Sequence, residues 1–235
     1  MSSIKLVVFD MAGTTVKDEN EVEKCFIAAA EASSLPYEKD EIISMMGWSK
    51  IQVFETLWNK ALPNEQPAIL QEKISYSYTM FTEILENHYS TQPVKPVEGC
   101  LDIFNWLKEQ GVAIGLTTGF YRKVTNIILE RLGWDKGLDN NYKGSGLINV
   151  SVCSDEVEKG RPAPDMIYKC MESCGITDPE EVVNIGDTPS DLASGTAAGC
   201  LYSLGVTNGT HTKEQLMACT YHALFPSIVD LKDFL

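Results

Sequence analysis

Basic charge is scarce in this chain: 19 Lys and Arg stand against 33 Asp and Glu in 235 residues, a formal net charge of −14. A nucleic-acid clamp needs a basic face to neutralise phosphates, so that class is set aside. The same deficit disfavours docking on an anionic membrane surface. Long apolar runs are also missing. The longest, Cys25 to Ala30, is six residues, far short of the roughly 18 that read as a membrane-spanning helix. The start, MSSIKLVVFD, has one Lys and a short apolar tetrapeptide, too little for a secretory signal. There are seven Cys and no CxxC pair, which suits reduced thiols better than a disulfide framework. Cys170 and Cys174 lie four apart with no His nearby, the spacing of neighbours on one helix face rather than of a metal site. A cytoplasmic location is expected, with a small molecule as partner, no nucleic acid and no membrane. Oligomeric state is open, a homodimer included.

With 44% hydrophobic and 22% charged residues the chain has ordinary globular composition. A β-rich run, Ile4 to Phe9, is cut off by Asp10 and Gly13-Thr14-Thr15, which reads as a buried strand and a loop. From about Asn20 to Tyr89 the apolar spacing is helical: Val22, Cys25, Phe26 and Ala29 share a face, as do Ile74, Tyr78, Phe81 and Leu85. Met46-Gly47-Trp48-Ser49-Lys50 reads as a loop into a helix with Ser49 as its N-cap. Gln92-Pro93-Val94-Lys95-Pro96 then breaks helicity. After Pro96, helices alternate with strands near 112–116, 150–153, 182–185 and 201–206. That alternation predicts an α/β fold, a doubly wound parallel sheet with helices on both faces and an α-helical insertion after the first strand. The expected division is a core of 1–16 and 95–235 and a helical cap of 17–94.

In an open α/β sheet, ligands bind beyond the carboxyl ends of the strands. Four polar groups occupy such places: Asp10 with Gly13, Thr14 and Thr15; Thr117-Thr118-Gly119; Gly160-Arg161-Pro162; and Gly186-Asp187-Thr188-Pro189-Ser190-Asp191. Each alone has an ordinary explanation. An Asp closing a strand forms turns, acids at a helix start answer the helix dipole, and an Arg is commonly a solvated cation. Their order on successive strand ends is the unusual feature.

That set resembles the motifs of the haloacid dehalogenase superfamily of phosphotransferases and hydrolases, over essentially the whole chain. The resemblance implies a Rossmann-like core with an inserted helical cap, and Asp10 as a nucleophile that forms an aspartyl phosphate. It implies Mg²⁺ held by the carboxylates of Asp10 and Asp187 and the Ala12 carbonyl, with Asp191 assisting directly or through water. Hard oxygen donors suit that ion, and an anionic phosphoryl group repels a carboxylate nucleophile unless a cation intervenes. Thr118, Gly119 and Arg161 are the expected phosphoryl-holding groups, and Ala12, Gly13, Thr14 and Phe120 are the further residues expected to bind the substrate.

Phosphatases of the superfamily usually carry a second Asp two residues after the nucleophile; here that position is Ala12. The stretch Asp10-Met11-Ala12-Gly13-Thr14-Thr15 is similar instead to the phosphonatase branch, in which a cap lysine forms a Schiff base with a substrate aldehyde. Met46-Gly47-Trp48-Ser49-Lys50 matches that lysine motif and nominates Lys50, with Met46 and Gly47 beside the substrate. The pairing with Ala12 is sensible, since a Schiff base needs a neutral amine, and an acid at 12 would favour the ammonium while Mg²⁺ and Arg161 lower the amine's pKa. The alternative for Lys50 is a solvated first-turn lysine. The branch's His, Tyr and Cys helpers fall at Val53, Phe120 and about Asn20, so the usual proton-transfer groups are absent. The expectation is a hydrolase of a small phosphonate or phosphate metabolite, with an ordinary phosphomonoesterase as the alternative. Trp48, Phe54 and Trp58 are candidates to shape selectivity or to pack, and His88, His211 and His222 read as surface or packing residues.

Overall fold

The computed structural model describes residues 4–235. Its centre is a six-stranded, all-parallel sheet in the order β3-β2-β1-β4-β5-β6. The strands are β1 (Leu6–Asp10), β2 (Ala113–Thr118), β3 (Val150–Cys153), β4 (Val182–Gly186), β5 (Tyr202–Val206) and β6 (Ala223–Phe225). The first strand, LVVFD, is buried along its whole length, as a middle strand covered on both faces must be. Its side chains alternate between layers. Val7 and Phe9 enter the larger core, while Leu6 and Val8 pack with Met166, Ile167 and Cys170. The sheet is an α/β, Rossmann-like structure.

Between β1 and β2 run α1 (Glu21–Ala32), α2 (Lys39–Ser44), α3 (Lys50–Ala61), α4 (Pro67–Thr91) and α5 (Cys100–Glu109). The first four form the helical insertion. Phe26, Phe54 and Phe81 make its centre, with Phe26 stacked on Phe81 at 4.3 Å. The remaining helices are α6 (Arg122–Leu132), α7 (Asp165–Ser173), α8 (Pro189–Ala198), α9 (Lys213–Met217) and α10 (Leu231–Phe234). The two strands of chain leading into and out of the insertion run side by side, Lys17 N–H donating to Lys95 O at 3.0 Å and Val97 N–H to Thr15 O at 2.9 Å.

Chain order reverses at β1, which has β2 on one side and β4 on the other. That is the switch point where such sheets open a crevice at their carboxyl ends. Two local features add to the expectation. Ser49 is the N-cap of α3 as expected, though its side chain makes no capping hydrogen bond, and a sixth, unexpected strand, Ala223–Phe225, closes the sheet edge. Three residues are too few to carry a period of two, so pairing with β5 alone defines that strand. Among the described residues no helix is long and apolar enough to cross a membrane.

Candidate active site

The crevice is built around three buried acids. Asp10 ends β1, Asp187 follows β4, and Asp191 lies in the first turn of α8; one oxygen of each lies within 4.8 Å of the others. Each is held separately. Asp187 accepts from Thr14 Oγ1 at 3.0 Å and from Thr210 N–H at 2.7 Å. Gly13 lies so close that a Cβ there would meet Asp187 Oδ2 at 2.4 Å, and its φ of +91° also favours glycine. Asp191 belongs to a capping box, its Oδ2 accepting from Thr188 N–H at 3.0 Å and from Thr188 Oγ1 at 2.6 Å.

Arg161 is 2% exposed and bridges the acids. One guanidinium nitrogen pairs with Asp10 Oδ1 and, at 2.8 Å, with Asp191 Oδ1. The other donates to Thr117 Oγ1 at 2.6 Å and Thr117 O at 3.1 Å. Burial opposes its charge, but Asp191 and Asp10 outweigh that and raise its pKa. Burial pushes the Asp10 carboxyl well above the usual range; Arg161 pulls it down, and Asp191 and Asp187 push it further up. Asp187 is raised to about 6 by burial and then by Asp191. A single guanidinium thus serves a buried trio of oxygen-only donors, a set that fits a hard divalent cation such as Mg²⁺. Arg161 meets the candidate nucleophile itself, and both Asp191 oxygens are engaged by protein groups.

The insertion closes over this cluster. Lys50 opens α3 and is 4% exposed, so it is not a solvated first-turn lysine. Its Nζ lies 5.2 Å from the centre of the Phe120 ring and 5.6 Å from that of Phe26. Burial lowers its pKa from 10.5 to about 8, against the pull of Asp10. Desolvation is the larger cause of the shift and Arg161 a lesser one, so the amine is lowered chiefly by its burial rather than by the neighbouring cations. Beside side-chain ties, the two halves meet through close backbone approaches. A Cβ on Gly119 would lie 2.4 Å from Trp48 O and 2.6 Å from Gly47 O, and one on Gly47 (φ +87°) would lie 2.3 Å from Ser190 Oγ.

Asp10, Ala12, Met46, Gly47, Lys50, Thr118, Gly119 and Phe120 all border one cavity of about 20 Å³. Thr118 Oγ1 accepts from Phe120 N–H at 3.1 Å. Thr14 is turned to Asp187 instead, as are Thr210 and Gly209 from the loop after β5. Phe54 and Trp58 pack inside the insertion, Trp58 Nε1 donating to Ser77 Oγ at 2.8 Å. His211 is buried. Two residues that no sequence signal marked out are Thr210, which donates its N–H to Asp187, and Asp18, which lines the cavity with Thr210. Asp18 lies in the linker between β1 and α1, where no periodicity marks a residue out.

The family model of haloacid dehalogenase-like hydrolases matches residues 7–204. The chain belongs to that family. This haloacid dehalogenase-like hydrolase is 30% identical over 227 residues to a phosphonoacetaldehyde hydrolase of Bacillus thuringiensis, covering 88% of this chain and 77% of that one. Its fold matches that of a hydrolase from Pseudomonas syringae at a TM-score of 0.81, with 18% identity, 98% of this chain and 99% of the other. A predicted phosphoglycolate phosphatase from Haemophilus somnus matches at 0.77, again with 18% identity, over 100% and 99% of the two chains. Along with the acid cluster, membership makes the chain a hydrolase with a pocket able to hold a metal ion.

Proposed function

We propose that the chain is a Mg²⁺-dependent hydrolase of a small phosphonate or phosphate metabolite, in which Asp10 attacks phosphorus and Lys50 holds the substrate by condensing with its carbonyl. Residues 17–94 act as the cap that brings Lys50 to the core. A bound Mg²⁺, held by Asp10, Asp187 and the Ala12 carbonyl, supplies the positive charge that lets an anionic substrate approach a carboxylate. Asp191 holds Arg161 in place through its ion pair. Arg161, Thr118 and the Gly119 N–H orient the phosphoryl oxygens, the arginine from its place beside Asp10. Asp10 then forms an aspartyl phosphate, which water hydrolyses. When a carbon–phosphorus bond breaks, the electron pair it leaves is taken up by the imine on Lys50.

The observation that carries this reading is Lys50: an amine buried over the nucleophile, with a pKa of about 8, beside Ala12 where a carboxylate would keep it charged. A lowered pKa makes the nucleophilic neutral amine available near neutrality. Borohydride added to enzyme and phosphonoacetaldehyde should leave a reduced adduct on Lys50, detected by mass. An unmodified Lys50 in an enzyme still turning over that substrate would remove the imine from the mechanism.

A second reading has one observation behind it. The ring nearest Lys50 is that of Phe120, which has no hydroxyl to exchange protons. In a phosphomonoesterase of phosphoglycolate or a sugar phosphate, Lys50 would be a cation for the substrate only. Lys50→Ala would then raise KM with a modest loss of kcat.

A further inference from the structure

The cavity between cap and core is bordered by three titratable side chains, Asp10, Lys50 and Asp18. Asp10 is committed to phosphorus and Lys50 to the carbonyl. Imine formation needs a third group, because the carbonyl oxygen must leave as water and a proton must reach it. Ala12, Val53 and Phe120 have none to give. Asp18 is fixed at the mouth of α1, its Oδ1 accepting from Glu21 N–H at 2.7 Å and Val22 N–H at 3.4 Å. Its hydrogen bonds run to α1 and not to the acid cluster.

We propose that Asp18 is the general acid and base of this cavity, giving a proton to the hydroxyl that leaves when Lys50 condenses with the substrate carbonyl and recovering it when the imine is hydrolysed. The inference rests on the imine reading of Lys50. In the forward step the neutral Lys50 amine adds to the carbonyl carbon, and the nitrogen proton passes through Asp18 to the oxygen. The carbon–oxygen bond then breaks, and the hydroxyl takes the Asp18 proton and departs as water. A protonated imine and an Asp18 carboxylate remain, so charge and protons balance. Water adds back to the imine after phosphorus has left, and the same transfers run in reverse.

The surroundings suit the task. Burial raises Asp18 to about 7, helped by a hydrogen bond shared with Glu21. Burial also pushes Glu21 up, but that shared bond holds it below its ordinary value. The other groups that feel the Asp18 charge are Cys25 and Tyr89, from α1 and α4, and Lys50 from α3. A catalytic acid works best with its pKa close to the working pH.

The alternative is that Asp18 only caps α1. Asp18→Asn separates the two, because its side-chain oxygen can still accept from Glu21 and Val22 N–H but cannot supply an acidic proton. The rate of adduct formation is read by mixing enzyme with phosphonoacetaldehyde, quenching with borohydride at timed intervals, and weighing Lys50 peptides. The expected result is a fall of about 100-fold in Asp18→Asn with an unchanged melting temperature, and partial recovery in Asp18→Glu. In the wild type the rate should pass through a maximum between about pH 7 and 8, since Asp18 must keep its proton while Lys50 has lost one. If the wild type forms the adduct and Asp18→Asn forms it equally fast, the Asp18 role is overturned and the imine reading stands. If the wild type forms none, both fall. Should Asp18→Asn fail to fold, the wild-type profile decides, because a plateau above pH 8 would overturn the proposal.

Discussion

Lys50 shows how a single side chain can trade stability for chemistry. Its ammonium is desolvated, and the drop from 10.5 to about 8 corresponds to ~3 kcal/mol of destabilisation while the group is charged. The direction with pH follows from proton binding. Between pH 8 and 10.5 the unfolded lysine holds its proton and the folded one has lost it, so stability rises with pH across that window; below 8 the cost is present in full. Replacing Lys50 with Met, of similar length and no charge, should therefore stabilise the protein by up to about 3 kcal/mol at pH 7 and progressively less above pH 8, as read by urea denaturation. The same variant should lose adduct formation altogether. Stability and function oppose each other at that position.

At the scale of elements, two joints decide whether the cap meets the core correctly. The first is Gly119 against Gly47 and Trp48, where carbonyl oxygens stand in the space a side chain would need. Gly119→Ala should leave the sheet intact, because alanine is compatible with the end of a strand, yet lever the cap off. The expected outcome is a loss of kcat/KM of at least about tenfold with a thermal unfolding midpoint close to wild type, since a misplacement near 1 Å is enough to cost that much rate. The second is the phenylalanine trio within the cap. Phe81 is fully buried and touches both Phe26 and Phe54. Phe81→Ala should lower stability by about 3–5 kcal/mol in chemical denaturation. Because Phe26 also lies against Lys50, that variant should disturb the amine, unlike a substitution on the outer face of α4.

For the whole molecule, the question is how a ligand enters a cavity of about 20 Å³. That is room for about one water, so a phosphorylated substrate requires the halves to separate. The long helix α4 is tied to the core along its second half, by Tyr121 Oη donating to Glu86 at 2.9 Å and by Arg131 donating to Ser90 O at 2.7 Å and Gln92 O at 2.9 Å. These ties and the paired linkers at Lys17 and Lys95 are the joints about which cap and core would have to open.

Charge also acts at this scale. A net −14 repels anions at long range, so substrate attraction falls to the local cations and to Mg²⁺. Mg²⁺ at 100 times its dissociation constant should raise the melting temperature by roughly 5–10 °C at pH 7.5. The gain should shrink as pH falls through about 6, because Asp187 must be deprotonated to bind. The sign without the ion is consistent. The folded Asp187 holds its proton more tightly than the unfolded 3.8, so stability falls as pH rises from 3.8 to about 6, and that lost stability is what a bound cation restores. A thermal scan with and without Mg²⁺ at pH 5.5 and 7.5 tests both directions.

The positions of the first five strands, their parallel pairing and the run of helices after the first strand were legible in the chain, because apolar periodicity and the breaks at glycine and proline are local properties, whereas the order of strands across the sheet was not. Acids and hydroxyls directly after strands could be nominated for the same reason: in a parallel sheet every strand carboxyl end faces one crevice, so Asp10, Thr118 and Asp187 were bound to converge. Other features depended on which distant segments meet. Only the tertiary structure turns Thr14 to Asp187, sets Arg161 between Asp10 and Asp191, buries Lys50 against Phe26 and Phe120, and brings Asp18 to the same cavity. Desolvation is the physical reason. It shifts Lys50 and Asp18 toward neutrality, and it arises from the packing of cap on core, which no stretch of sequence contains by itself.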